Sequence, residues 1–159
     1  MPTIDPQIVV RSARALEEYG PDFTYSHFMA VKNPVVGAGL VAGVAGVFAM
    51  AQFGPTRRAV RRLRPSGSGP DPQQRERNWF TVRFVADTPD RRLVTEVAGG
   101  DPGYGETAKM LAESALCLAL DDLPATSGQV TTAMAMGDAL RVRLESAGIT
   151  FRVVSDQPR

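Results

Sequence analysis

The chain has 159 residues, enough for one domain with a core of its own and short for two. Lys and Arg number 18 against 17 Asp and Glu, so nothing in the net charge favours nucleic-acid binding. A single cysteine, Cys117, and a single histidine, His27, leave no internal disulfide and no ordinary protein-only zinc site.

The N-terminus "MPTIDPQIVV" lacks a basic stretch followed by an apolar one, so no secretory signal is expected. Asp5-Pro6 before "QIVVRSARALEEYG" predicts a helix capped by Asp5 and closed by Gly20. "FTYSHFMAV" is aromatic-rich and is expected to form a strand with Phe23, Tyr25, His27 and Met29 on one face, His27 half-buried. Residues 35–53 then carry no charge, and nineteen helical residues roughly match the hydrocarbon core of a bilayer. Arg57, Arg58, Arg61, Arg62 and Arg64 follow, suited to anionic headgroups on a cytoplasmic face. The alternative is a hydrophobic helix buried against another domain or subunit.

Within that run, "GAGLVA" (residues 37–42) matches the G-x-G-x-x-A dinucleotide pattern. Pro34 stands too close before it to leave a central strand, and no acidic strand end follows, so the match is read as a decoy. "PSGSGPDP" (residues 65–72) reads as a linker. "NWFTVRFVA" and "RRLVTEVAG" alternate around "DTPD" as a hairpin does, with Phe80, Val82, Phe84 and Ala86 on the core side. Arg83, on the other face with Trp79, suits solvent better than a ligand. A helix over residues 104–120 is amphipathic at first and apolar all round later, which predicts burial on every side. A second helix runs to Gly148, and "ITFRVV" closes the chain as a short strand. Residues 1–64 are thus expected as helix, short strand and hydrophobic helical segment, 65–72 as linker, 73–154 as an α/β or α+β domain, and 155–159 as a tail.

The turn "VAGGDPGYGETAKM" joins strand to helix, a place where proteins often hold anions. A P-loop needs Lys-Ser/Thr after its last glycine, whereas Glu106-Thr107 stands here and would repel a phosphate. Two readings stay open. Asp101 or Thr107 caps the helix in a structural turn, or the Tyr104 and Thr107 hydroxyls, with Asp101 and Gly103 beside them, hold an acyl or polar substrate. No catalytic residue is visible from local chemistry.

"TIDPQIV", "EYGPDFTY", "VTEVAGGDPGYGETAKMLAESALCLALDDLP" and "GDALRVRLESAGITFRV" closely resemble the C-terminal part of saccharopine-dehydrogenase-like oxidoreductases. The nearest branch is the actinobacterial one that includes trans-acting enoyl reductases of polyketide-lipid and glycolipid assembly. The resemblance implies an antiparallel-rich sheet packed by helices and a substrate cleft, with Tyr104 and Thr107 near its substrate side. It also implies an NADP(H)-binding Rossmann domain N-terminal to this part, and hydride transfer to an enoyl thioester. No such nucleotide half is expected within these residues, so none of the cofactor-binding residues can be assigned here. A Rossmann-domain partner or self-association is the expected complement, in the cytoplasm or at the inner face of the plasma membrane. The alternative is a non-enzymatic membrane-peripheral or assembly module.

Overall fold

The computed structural model describes residues 4–31, 33–55 and 69–158. The arginines at 57–64 and the first half of the expected linker, residues 65–68, lie outside the described residues. The chain divides into two compact units, one of residues 26–69 with the first two residues, the other of residues 3–25 together with 70–159.

In the larger unit, helix α1 (Asp5–Ala15) starts one residue earlier than expected, with Ile4 at the cap position and Asp5 inside the first turn. A 3-10 turn (Glu17–Tyr19) follows, and Gly20 ends it at φ 72°, a left-handed value that favours glycine. Residues 1–64 therefore do not act as one block: α1 belongs with the C-terminal part. Its Ser12 is buried against Thr131, with the two hydroxyl oxygens 2.8 Å apart. Ser12 donates to the Ile8 carbonyl at 3.0 Å, and the Met134 amide donates to the Thr131 oxygen at 3.3 Å. The Thr131 hydroxyl is left to donate to Ser12, so each donor is used once. The Arg11 guanidinium also donates to the Gln129 carbonyl.

Helix α3 (Pro72–Arg77) begins at Asp71, whose carboxylate accepts from the Gln74 amide at 2.7 Å, so the expected linker ends in a helix cap. The hairpin forms where the alternation placed it, as β1 (Phe80–Asp87) and β2 (Arg91–Gly99). At its turn the Thr88 amide donates to the Arg91 carbonyl at 2.9 Å, and the Arg91 amide donates to the Thr88 hydroxyl at 3.1 Å. β3 (Thr150–Pro158) pairs antiparallel with the other side of β2, giving the order β1-β2-β3. The expected tail at 155–159 is thus mostly strand: Ser155, Asp156, Gln157 and Pro158 oppose Val94, Leu93, Arg92 and Arg91. Val154 is the extra residue of a bulge, between partners Val94↔Ser155 and Thr95↔Val153.

Helix α4 (Gly105–Leu120) and helix α5 (Thr132–Ser146) pack on each other. Gly137 interrupts α5 with φ 47°, ψ −129°, and Gly148 (φ 94°) ends it, its amide donating to the Glu145 carbonyl at 3.0 Å. The core is small: Cys117, Ala135 and Met136 are buried together, with Leu123, Val130, Ala139 and Leu140 partly buried around them. Ile149, 2% exposed, is the further buried hydrophobic residue among those described.

Two burial expectations fail. The second half of α4 is not enclosed, for Leu116, Leu118 and Leu120 are exposed and only Cys117 is buried. The apolar sheet face of Phe80, Val82, Phe84 and Ala86, continued by Leu93, Val97, Phe151 and Val153 through the register, is likewise uncovered in its middle. The pattern correctly identified an apolar face, but among the described residues Val82, Phe84 and Val153 stay exposed on it. The architecture is α+β, a three-stranded antiparallel sheet with helices.

Residues 23–31, which run from the larger unit into the smaller one, form no strand, because no described segment offers them a ladder, and His27 is exposed rather than half-buried. Helix α2 (Pro34–Gln52) is capped by Asn33, whose side-chain oxygen accepts from the Val36 amide at 2.9 Å. Residues 37–42 lie inside this helix, so "GAGLVA" is not a strand-to-helix turn.

Candidate functional site: the glycine turn and the ion pairs around it

β2 delivers the chain at Gly99 and α4 receives it at Gly105. The turn is organised by Asp101, which is buried although charged. One carboxylate oxygen accepts from the Tyr104 amide at 2.8 Å and the Gly105 amide at 3.2 Å; the other accepts from the Asn78 side-chain amide at 2.8 Å. Asn78 foremost, then the backbone amides of Gly105, Tyr104 and Gly103, hold the carboxyl below the usual carboxylate range against the opposing effect of burial. Asp101 is therefore the residue that satisfies the free amides at the start of α4. Thr107 donates to the Pro102 carbonyl at 2.6 Å, closing the turn from the helix side. Gly103 lies beside Asp101, and Tyr104 is half-exposed.

The glycine pair at 99–100 has a packing cause. A Cβ at Gly99 would stand 2.7 Å from the Phe80 ring, and one at Gly100 would stand 3.1 Å from Glu106 Oε1. Glu106 is itself held by Lys109, whose Nζ lies 2.9 Å from Oε1 and 2.8 Å from Oε2. A carboxylate thus sits over the glycines, in the space that a phosphate-binding turn leaves for its anion. Replacing Gly99 by alanine is expected to cost about 1–3 kcal/mol, because the Phe80 ring must move. The measurement is denaturant unfolding; a change below about 0.5 kcal/mol would mean that the ring gives way freely.

Arg83 and Trp79 part company. Trp79 is exposed ahead of β1, while Arg83 pairs across the sheet with Glu96, NH2 to Oε2 at 2.9 Å. Arg152 on β3 grips the other oxygen, Nε to Oε1 at 2.9 Å. Glu96 is only 4% exposed, and the hydrogen bonds from Arg83 and then Arg152 hold its carboxyl below the usual range. Sequence reasoning passed over Glu96 and Arg152. The signal was a lone acid in the middle of a central strand with arginine on both neighbours, legible only once β3 had a register.

A second ionic group ties α4 to α5. The Arg143 guanidinium meets Asp121 with Nε to Oδ2 at 2.6 Å and NH2 to Oδ1 at 2.7 Å, and reaches Glu113 at 3.5 Å. Burial pushes up the thiol pKa of the neighbouring Cys117, which suits a packed thiol rather than a nucleophile. Among the described residues no cluster of three or more His, Cys, Asp or Glu could hold a metal ion.

Fold and site together define an α+β module whose glycine turn is closed on itself and whose described strands pair only antiparallel. Comparison with known proteins finds relatives along most of its length. The chain is 36% identical to trans-acting enoyl reductases of Mycobacterium bovis (BCG) and Mycobacterium tuberculosis (H37Rv), covering 90% of its own length and 37% of theirs. It is 37% identical, over 91% of its length and 38% of the relative's, to another Mycobacterium tuberculosis protein that carries the same designation provisionally. The chain therefore spans a little over a third of the curated relatives it matches, which are those of the branch whose motifs it resembles. No known family profile matches it, and no solved structure does.

Proposed function

We propose that this chain is the acyl-handling, C-terminal portion of a trans-acting enoyl reductase, working in the assembly of polyketide-derived lipids. Hydride would come from NADPH held by a nucleotide-binding portion outside these residues, on the same polypeptide or on a partner. The observation that carries this reading is similarity to enoyl reductases over about nine-tenths of the chain but little more than a third of theirs. The uncovered apolar sheet face and the exposed leucines of α4 agree with it, since both would be covered in a larger enzyme. On this reading Tyr104, exposed on the turn, meets the substrate, while Asp101, Gly103 and Thr107 shape the turn beneath it.

The test is complementation. The chain alone, given NADPH and an α,β-unsaturated thioester, is expected to show neither coenzyme fluorescence enhancement nor NADPH consumption. Adding a polypeptide that corresponds to the uncovered part of the Mycobacterium bovis relative should restore both. Turnover by the chain alone would overturn the division of labour, and a well-formed complex that never consumes NADPH with any enoyl thioester would overturn the activity.

A further inference from the structure

Helix α2 carries no charged residue along its 19 residues, reaches a mean hydropathy of 2.0, and buries none of its length. Val35, Leu40, Val41 and Phe48, at different angles around the axis, are all exposed. A helix on the surface of a water-soluble domain has a polar side; this one has none. Its backbone groups are paired within the helix and its first turn is capped by Asn33, which suits surroundings without water. At ~1.5 Å per residue its length comes close to the thickness of bilayer hydrocarbon. Five arginines follow within residues 57–64, a charge suited to anionic headgroups.

Length alone would allow a crossing, but the path of the chain opposes it. Residues before α2 and residues after it belong to one compact unit, joined where Ser12 meets Thr131 and Arg11 meets the Gln129 carbonyl. A single crossing would put α1 and α5 on opposite sides of the membrane and break those bonds. Residues 53–69 contain no second apolar stretch that could cross back. We infer that α2 embeds in one leaflet of an anionic membrane and that both of its flanks stay on the same side, fixing the protein to the lipid surface without spanning it. The inference stands apart from the reductase reading, for it uses neither the glycine turn nor the relatives.

The experiment adds the full chain to preformed, sealed vesicles of phosphatidylglycerol and phosphatidylcholine and floats them on a density gradient. Wild type is expected to float, and Val44→Asp, which places a charge at mid-helix, to partition roughly a hundredfold less. Far-ultraviolet circular dichroism of both proteins checks that the remainder stays folded. Single cysteines introduced as Glu18→Cys and Glu76→Cys, one on each side of α2, should both react with an impermeant maleimide added outside. The buried Cys117 of the parent supplies the background. Protection of either site would mean a crossing and overturn the one-sided topology. Failure to float, including through formation of a soluble oligomer, would overturn membrane insertion. Equal flotation of Val44→Asp would show attachment by charge alone and overturn it as well.

Discussion

Met136→Ala is expected to lower unfolding stability by about 2–4 kcal/mol, a large part of what a domain of this size possesses. Met136 is 4% exposed and, among the described residues, clusters with buried Cys117 and Ala135, ringed by partly buried Leu123, Val130, Ala139 and Leu140. Most domains spread such a loss over many neighbours; here few side chains can move in to refill the space. The same truncation at Val142, exposed on the same helix, should fall within about 0.5 kcal/mol of wild type. Denaturant unfolding of both variants measures the contrast, the midpoint moving with little change in slope. If Met136→Ala and Val142→Ala behave alike, the centre of the larger unit lies elsewhere.

Arg143→Met is expected to raise the titration of Asp121 by roughly one to two pH units and to move acid unfolding upward with it. The paired hydrogen bonds from Arg143 hold the Asp121 carboxyl at about 2, against an ordinary value of 3.8, despite the opposing effect of burial. A carboxyl whose pKa is lower folded than unfolded stabilises fully above its unfolded value. That contribution disappears as pH falls through the folded one, here between roughly 4 and 2. Without the guanidinium, burial remains and the attraction goes, so Asp121 takes up its proton in the ordinary range or above it. A carboxyl-carbon NMR titration reads Asp121 directly, and circular dichroism against pH reads the unfolding. Arg143→Lys keeps the charge but loses the planar fork and should lie between the two. An Asp121 titration unchanged in Arg143→Met would remove the ion pair as the cause.

The elements held by local chemistry were legible in the sequence. Alternation gave β1 and β2, and Gly148 gave the end of α5. The charge-free run gave α2. Elements that depend on distant partners were not. Residues 23–31 alternate like a strand but meet no strand among the described residues, and Ser155 to Pro158 look like a tail until β2 supplies a ladder. Burial misled for the same reason: periodicity says which face is apolar, never what covers it, so the leucines of α4 read as enclosed although they are exposed. At the turn, Asp101 was one of two candidates for the cap, and the choice needed Asn78, which arrives from 23 positions away. Glu96 left no local trace, because its meaning lies in arginines on two other strands.

Those arginines have a consequence for the sheet's neighbours in solution. Among the described residues β1 and β3 are its two borders, and an unpaired border strand is a template on which another chain can pair. Arg83 and Arg152 stand at those borders, one on each, and both already lean on the single carboxylate between them. A border strand from another copy would have to set its own arginine close to one of these, like charge against like. The clasp that fastens the strands together thus also places a cation on each outer strand, the kind of charge that discourages pairing with another sheet.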